Sequence, residues 1–156
     1  MSESNATYTQ IHIQLIFAVK FRDALIQTNW KEELYKYVTG IIQNNNHKLI
    51  CINGMPDHIH ILIGLRPNQS ISSLVNEIKS NSSKFINEKR FLPFRFEWQK
   101  GYGAFSYGKS QLSDVINYIN NQEKHHHKKS FREEYLDFLN KFEVNYNEDY
   151  VFNDLI

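Results

Sequence analysis

Cysteine is nearly absent from this chain of 156 residues, which contains only Cys51. A single thiol cannot form an intrachain disulfide. The apolar surroundings of Cys51 in residues 48–53 predict a small side chain buried in the fold. We therefore expect a protein of the reducing cytoplasm.

Long apolar segments are also missing. No uninterrupted run is long enough to cross a membrane, and residues 1–7 lack the basic region and the apolar core of a secretion signal. A hydrophobic content of 41% with 22% charged residues is typical of a soluble globular protein. We expect one compact domain over residues 1–156, without a membrane partner.

The net charge of +1 conceals an uneven distribution. Residues 1–132 contain 17 Lys and Arg against 10 acids, whereas residues 133–156 contain 1 against 7, with an acidic tail from about residue 144. Within the basic part, residues 79–132 contain 11 basic side chains against 4 acidic ones. Such a surface suits a phosphate-bearing partner, but ordinary solvated helices give similar counts, so charge alone leaves both interpretations open.

Hydrophobic periodicity predicts five strands and four helices. The strands are at 9–19, 47–53, 58–65, 94–99 and 104–107, and the helices are at 30–44, 70–87, from 110 through Tyr118, and 131–142. Because the strands at 47–53 and 58–65 follow one another through a short turn, we expect them to form a hairpin. This order favours an α+β fold, a ferredoxin-like antiparallel sheet with helices packed on one face, over a parallel doubly wound sheet.

Two histidines alternate along the predicted strand at 58–65. Alternation sends His58 and His60 to the same face, which gives two nitrogen ligands on one rigid surface. Such a pair taken alone is more often packed or surface histidine than a metal site. Asp57 either accepts a hydrogen bond from one imidazole and so orients it, or serves only in the turn.

A tyrosine and a glutamine lie four residues apart in the predicted helix from residue 110. Tyr118 and Gln122 would therefore share one face of it. Each is individually typical of an ordinary helix, the tyrosine half-buried and the glutamine on the surface. The pair gains functional meaning only if it lies beside the two histidines.

Several spaced motifs resemble a known family when they are taken in order. They are His12 with residues 20–22, then residues 54–60, 98–105 and 118–122, His125 with His126, and residues 131–135. Over nearly its whole length the chain closely resembles the single-strand-specific, one-tyrosine HUH transposases of bacterial insertion sequences and their REP-associated relatives. The resemblance implies the HUH endonuclease fold.

The resemblance also implies a chemistry. In this family His58, His60 and Gln122 would bind a divalent cation, Mg²⁺ or Mn²⁺, and Tyr118 would be the nucleophile. The protein would be a transposase that cleaves and rejoins single-stranded or hairpin DNA through a 5′-phosphotyrosine intermediate. It would act as a homodimer in which the tyrosine helix can serve the histidine pair of the other subunit.

Basic and aromatic side chains are the candidate DNA contacts, because cations hold the backbone and aromatic rings hold unpaired bases. Tyr102 is the preferred aromatic contact, since the glycines on both sides of it allow close backbone approach. The expected contacts are Lys20, Arg22, Lys84, Arg95, Lys100, Tyr102, Lys109 and Lys128. From the resemblance we also expect His125 and His126 to lie near the active site or a dimer interface.

Two other functions stay open. The first is a host-retained REP-associated enzyme. It would use the same site as the transposase of a mobile element, so the site residues do not distinguish the two. A noncatalytic hairpin-DNA-binding domain is the second alternative, and it is disfavoured because every expected catalytic position is occupied.

Overall fold

The computed structural model describes residues 6–125 and 129–147, in which four strands and five helices form the main elements. In chain order they are β1 (His12–Ala18), α1 (Lys31–Asn44), β2 (Lys48–Met55), β3 (His58–Gly64), α2 (Ile71–Lys89), β4 (Gly103–Tyr107), α3 (Leu112–Asn120), α4 (Gln122–His125) and α5 (Phe131–Lys141). Single 3₁₀ turns at Lys20–Arg22 and Lys109–Gln111 follow β1 and precede α3. Within this part of the chain, no helix is both long enough and apolar enough to cross a membrane.

The four strands form one sheet in the order β2-β3-β1-β4, and each neighbouring pair is antiparallel. This is the order of a ferredoxin-like fold, so the predicted antiparallel α+β architecture is confirmed. The predicted hairpin is confirmed as well, because β2 pairs with β3 and places Met55 opposite His58.

Helices cover both faces of the sheet, which differs from the expected packing on one face. Leu15 and Phe17 of β1 belong to the main core, which includes residues of α1 and α2. On the opposite face, Ile16 packs with residues of α5 and Leu62 packs with residues of α3. The central strands are buried on both faces, so each face has a covering layer.

The strand predicted at residues 94–99 is wrong. Only Trp98 pairs with the sheet, through an isolated bridge to Val19. Phe96 and Trp98 are nevertheless buried, and the Trp98 ring packs edge-on against Phe17 with centroids 4.9 Å apart. The alternating aromatic residues therefore reflect insertion into the core rather than strand pairing.

Cys51 is only half-buried in β2, less than its apolar surroundings predicted. Desolvation raises the pKa of its thiol to about 11. The thiol therefore stays protonated at neutral pH, which makes it a weak nucleophile.

Gly54 lies where the β2–β3 hairpin brings two backbones into close contact. A Cβ atom on Gly54 would lie 2.2 Å from the carbonyl oxygen of His58 and 2.9 Å from the Cα of Ile59. We expect Gly54→Ala to displace β3 and to lower the free energy of unfolding by about 1–3 kcal/mol in urea denaturation.

Gly40 provides the matched control, because a Cβ there would meet nothing within 4 Å and the residue lies inside α1. Gly40→Ala should raise the free energy of unfolding by about 0.5–1 kcal/mol, since alanine loses less backbone entropy in a helix. An unchanged or raised free energy of unfolding in Gly54→Ala would contradict the close approach at Gly54.

Candidate active site

Strand alternation brings three polar side chains to the face covered by α3 and α5. His58 and His60 lie on β3, opposite Ala18 and Ile16 of β1, and Gln14 of β1 joins them. All three side chains are completely buried. Buried polar groups need partners, so their hydrogen bonds define the chemistry of this face.

The His58 ring is held between a carboxylate and an amide. Its Nδ1 lies 2.7 Å from Asp57 Oδ1, and its Nε2 lies 3.0 Å from Gln122 Oε1. Because a carboxylate only accepts, His58 Nδ1 donates a hydrogen bond to Asp57, and this bond turns Nε2 toward Gln122 and Glu134. Asp57 thus lies where it can orient the His58 ring, which is one of the two roles that the sequence left open for it.

The His60 ring is oriented in the same way by a different group. Its Nδ1 lies 2.7 Å from Gln14 Oε1, and the Gln14 amide donates from Nε2 to the Tyr107 hydroxyl at 2.8 Å. The amide orientation makes His60 Nδ1 the donor and turns Nε2 into the site, toward Glu134. Gln14 was not predicted, because in sequence it is only one polar residue within an apolar strand.

Glu134 of α5 lies between the two histidines. Its Oε1 is 3.2 Å from His60 Nε2 and 3.5 Å from His58 Nε2, and only 3% of the residue is exposed. Its Oε2 accepts hydrogen bonds from Gln122 Nε2 at 3.2 Å and from the Tyr118 hydroxyl. Sequence reasoning missed this residue, although a signal existed: an acid within the stripe Phe131, Tyr135 and Phe138, on the buried face of a helix.

Tyr118 and Gln122 meet the histidines, but not from one continuous helix as predicted. Helix α3 ends at Asn120, and Gln122 begins the short helix α4. The Tyr118 ring packs edge-on against His60, with centroids 6.1 Å apart. Burial, and after it the negative charge of Glu134, raises the pKa of Tyr118 well above its ordinary value. The phenol is therefore held protonated until a positive charge offsets that carboxylate.

Four ligand atoms of this site fit a divalent cation. They are His58 Nε2, His60 Nε2, Gln122 Oε1 and Glu134 Oε1. Three of the pairs among them are 3.0 to 3.5 Å apart, close to the roughly 3 Å between neighbouring ligands that bonds of about 2.0–2.1 Å produce in an octahedral site. The ligand atoms of His58, His60 and Glu134 all lie within 4.8 Å of one another. Both Nε2 atoms face oxygen atoms that only accept hydrogen bonds, an arrangement that a cation bound between them would stabilise.

Comparison with known proteins places this site in a family. The family model described as "Transposase IS200 like" matches residues 7–122. The chain belongs to the IS200-like transposase family. The match includes His58, His60, Tyr118 and Gln122 but ends before α5, so Glu134 comes from a segment outside it.

Two curated members of this family show the extent of the likeness. The ISDra2 transposase TnpA of Deinococcus radiodurans is 24% identical over 127 residues, which cover 78% of this chain and 91% of that protein. The transposase for insertion sequence element IS200 of Salmonella typhimurium is 25% identical over 113 residues, covering 69% and 74% of the two chains.

Solved structures confirm the fold expected for an IS200-like transposase. A transposase from Deinococcus radiodurans R1 superposes with a TM-score of 0.61 at 22% identity, covering 78% of this chain and 98% of that one. A REP-associated tyrosine transposase bound to a REP hairpin gives a TM-score of 0.58 at 19% identity, with 80% and 74% covered.

A cavity of about 570 Å³ opens beside Tyr118 and Glu134 of this family member. Its walls include Lys124, Lys129 and Lys141, and that volume is in the range of pockets that hold small ligands. The same lining contains Asp114, Glu134 and Asp137, and Lys129 pairs with Asp137, so the charges of these walls are balanced.

The predicted DNA contacts differ in how exposed their side chains are. Lys84, Arg95, Lys100, Tyr102 and Lys109 are exposed. Lys20 is partly exposed and pairs with Glu97 at 3.3 Å.

The two remaining predicted contacts are Arg22 and Lys128. Arg22 is only 3% exposed, and its guanidinium lies 5.2 Å from the centroid of the Phe131 ring. The Arg22 side chain therefore packs against α5, and its expected contact with DNA stays a prediction. His125 ends α4, whereas His126, His127 and Lys128 lie outside the described residues.

Proposed function

We propose that the chain is a metal-dependent single-stranded DNA transposase that cleaves and rejoins strands through a 5′-phosphotyrosine intermediate. The observation that carries this proposal is the convergence, within one chain, of four metal-ligand atoms beside the Tyr118 hydroxyl. Membership of the IS200-like transposase family supports the same reaction class.

The residues of the site have separate roles in this reaction. His58, His60, Gln122 and Glu134 would hold Mg²⁺ or Mn²⁺, which when bound withdraws charge from the scissile phosphate and orients it. Tyr118 Oη attacks the phosphorus while its proton passes to Glu134 Oε2, the atom that already accepts its hydrogen bond. The bond from phosphorus to the 3′ oxygen breaks, and that oxygen takes a proton from solvent.

The covalent product explains how strands are rejoined without another energy source. The phosphotyrosine ester keeps the free energy of the broken phosphodiester, so a second 3′-hydroxyl can displace Tyr118 and restore the linkage. The attacking 3′-hydroxyl releases its proton to solvent, and Glu134 returns its proton to the phenolate.

The surroundings of the site favour a single strand as the substrate. Phe131 stacks on the His58 ring with centroids 4.2 Å apart, and Phe138 packs edge-on against Tyr118, so α5 shields the ligands. The cavity beside Tyr118 is left as the route for a flexible strand. A solved neighbour bound to a REP hairpin supports hairpin-bearing DNA as the substrate class.

The subunit arrangement is a further part of the proposal. One chain supplies the histidine pair and Tyr118 together, so the site is complete in cis in this state. The homodimer, with exchange of the tyrosine between subunits, stays a prediction from the family resemblance.

A covalent-adduct assay tests the proposed function. The full chain is incubated with labelled single strands from both flanks of its gene, with Mn²⁺ present, and separated on a denaturing gel. We expect a protein–DNA adduct with one of the strands that disappears when the metal is chelated. The same sequence as a perfect duplex is the control and should give no adduct. An adduct of equal yield under chelation would contradict the metal dependence.

A further inference from the structure

The turn after β1 has an unusual backbone. Phe21 has φ of 59° and ψ of 10°, and Arg22 has φ of 56°, so two successive residues with side chains lie in the left-handed region. Neither is glycine or asparagine, the residues that adopt this region most readily. Such strain persists only where the surroundings hold it, and it concentrates at functional sites.

Hydrogen bonds fix this turn from several directions. The four bonds are Val19 N to Asp57 O at 2.9 Å, Lys20 N to Glu97 O at 3.0 Å, Phe21 N to Gln99 Oε1 at 3.0 Å, and Arg22 N to Val19 O at 2.7 Å. One acceptor belongs to Asp57, the residue that also orients His58. The strained conformation is therefore a fixed feature of the fold and is tied to the active site.

The result of this backbone is an exposed aromatic ring beside a cation. Phe21 is 70% exposed, and Lys20 Nζ lies 5.4 Å from the centroid of its ring. The pairing of Lys20 with Glu97 is solvent-exposed and so contributes little free energy. Lys20 can therefore exchange this carboxylate for a phosphate.

The turn also lies next to the metal ligands. Arg22, the residue after Phe21, packs its guanidinium over Phe131, and Phe131 stacks on His58. On the other side, Ala18 of β1 pairs directly with His58. Phe21 thus lies in the turn that continues β1 past the Ala18–His58 pair, one residue before the side chain that packs over Phe131.

We propose that Phe21 is a stacking platform for an unpaired nucleobase next to the scissile phosphate, and that Lys20 contacts the adjoining phosphate. An aromatic face beside a cation is the arrangement by which unpaired bases are held. The choice of single-stranded DNA as the ligand rests on the proposed function. Packing does not explain the position of the Phe21 ring, because a ring with this exposure contributes little to the core.

The test measures binding separately from cleavage. In a Tyr118→Phe background without metal, a single strand from the gene flank carries fluorescein for anisotropy and 2-aminopurine to report stacking. Phe21→Ala should weaken binding by roughly 5- to 150-fold, the range for loss of one stacked base, and should abolish the 2-aminopurine quenching. Phe21→Trp should retain both the binding and the 2-aminopurine quenching. Tyr37→Ala, which removes an exposed ring from α1 on the other face of the sheet, should leave both unchanged.

A stability measurement separates DNA binding from a structural role. Phe21→Asn places in the left-handed region a residue that tolerates it, so the thermal unfolding midpoint should rise while DNA binding falls. Wild-type binding in Phe21→Ala, or a fall in stability with unchanged binding in Phe21→Asn, would overturn the proposal. Phe21-dependent binding without any adduct in the wild-type protein would overturn only the chemistry of Tyr118.

Discussion

Replacing Tyr118 by phenylalanine should abolish the covalent protein–DNA adduct while leaving the fold and metal binding intact. Phenylalanine keeps the ring that packs against His60 and Phe138 and removes only the hydroxyl that donates to Glu134. Without this oxygen no phosphotyrosine ester can form, so we expect adduct formation to fall below detection, a loss of at least about 10³-fold. Gel analysis of Tyr118→Phe with single-stranded DNA and Mn²⁺ gives the measurement.

Tyr107 is the matched control for this change. It lines the same cavity, and its hydroxyl accepts a hydrogen bond from Gln14 instead of facing Glu134. Tyr107→Phe should still form the adduct. If the adduct persisted in Tyr118→Phe and vanished in Tyr107→Phe, the nucleophile would be Tyr107 and the proposed geometry of attack would be wrong.

The fold was predictable where periodicity is local. Alternation of apolar residues in β1 and β3 gave the two central strands, and the short turn between β2 and β3 gave the hairpin. The strand expected at 94–99 failed because periodicity does not distinguish a ring inserted into the core, such as Trp98, from a paired strand residue. The division of helices between two faces depends on which side of the sheet each helix reaches, and this is a property of tertiary packing.

Two local parts of the site, the histidine pair and the pair Tyr118 and Gln122, were predictable from the sequence, whereas Glu134 was not. Alternation placed His58 and His60 on one face, and spacing paired Tyr118 with Gln122. Glu134 escaped notice because an acid in a helix is ordinarily exposed, and only the packing of α5 on the sheet buries this one beside His60. The break between α3 and α4 had a local signal in Asn120-Asn121, since asparagine competes with the helix for its own backbone hydrogen bonds.

Mn²⁺ affinity should fall steeply when either a neutral or a charged ligand of the site is removed. His60→Ala deletes a nitrogen ligand, and we expect the Mn²⁺ affinity to fall by more than about a hundredfold. Loss of a group that only orients a ligand typically lowers metal affinity by about 10- to 100-fold. Glu134→Gln keeps the shape of the side chain but removes the negative charge that attracts the cation, so a loss of about 10- to 100-fold is expected. Titration of free Mn²⁺ by electron paramagnetic resonance, without DNA, measures both.

The contribution of Glu134 can be separated from its contact with Tyr118. His12→Ala is the control, because that histidine lies at the start of β1 outside the four ligand atoms, and it should bind Mn²⁺ as the wild type does. Gln14→Leu should reduce the affinity less than His60→Ala, since it removes only the acceptor that orients His60. If Glu134→Gln bound Mn²⁺ with wild-type affinity while Gln122→Leu did not, Glu134 would serve only the Tyr118 hydroxyl. In that case the cation would be held by His58, His60 and Gln122 alone.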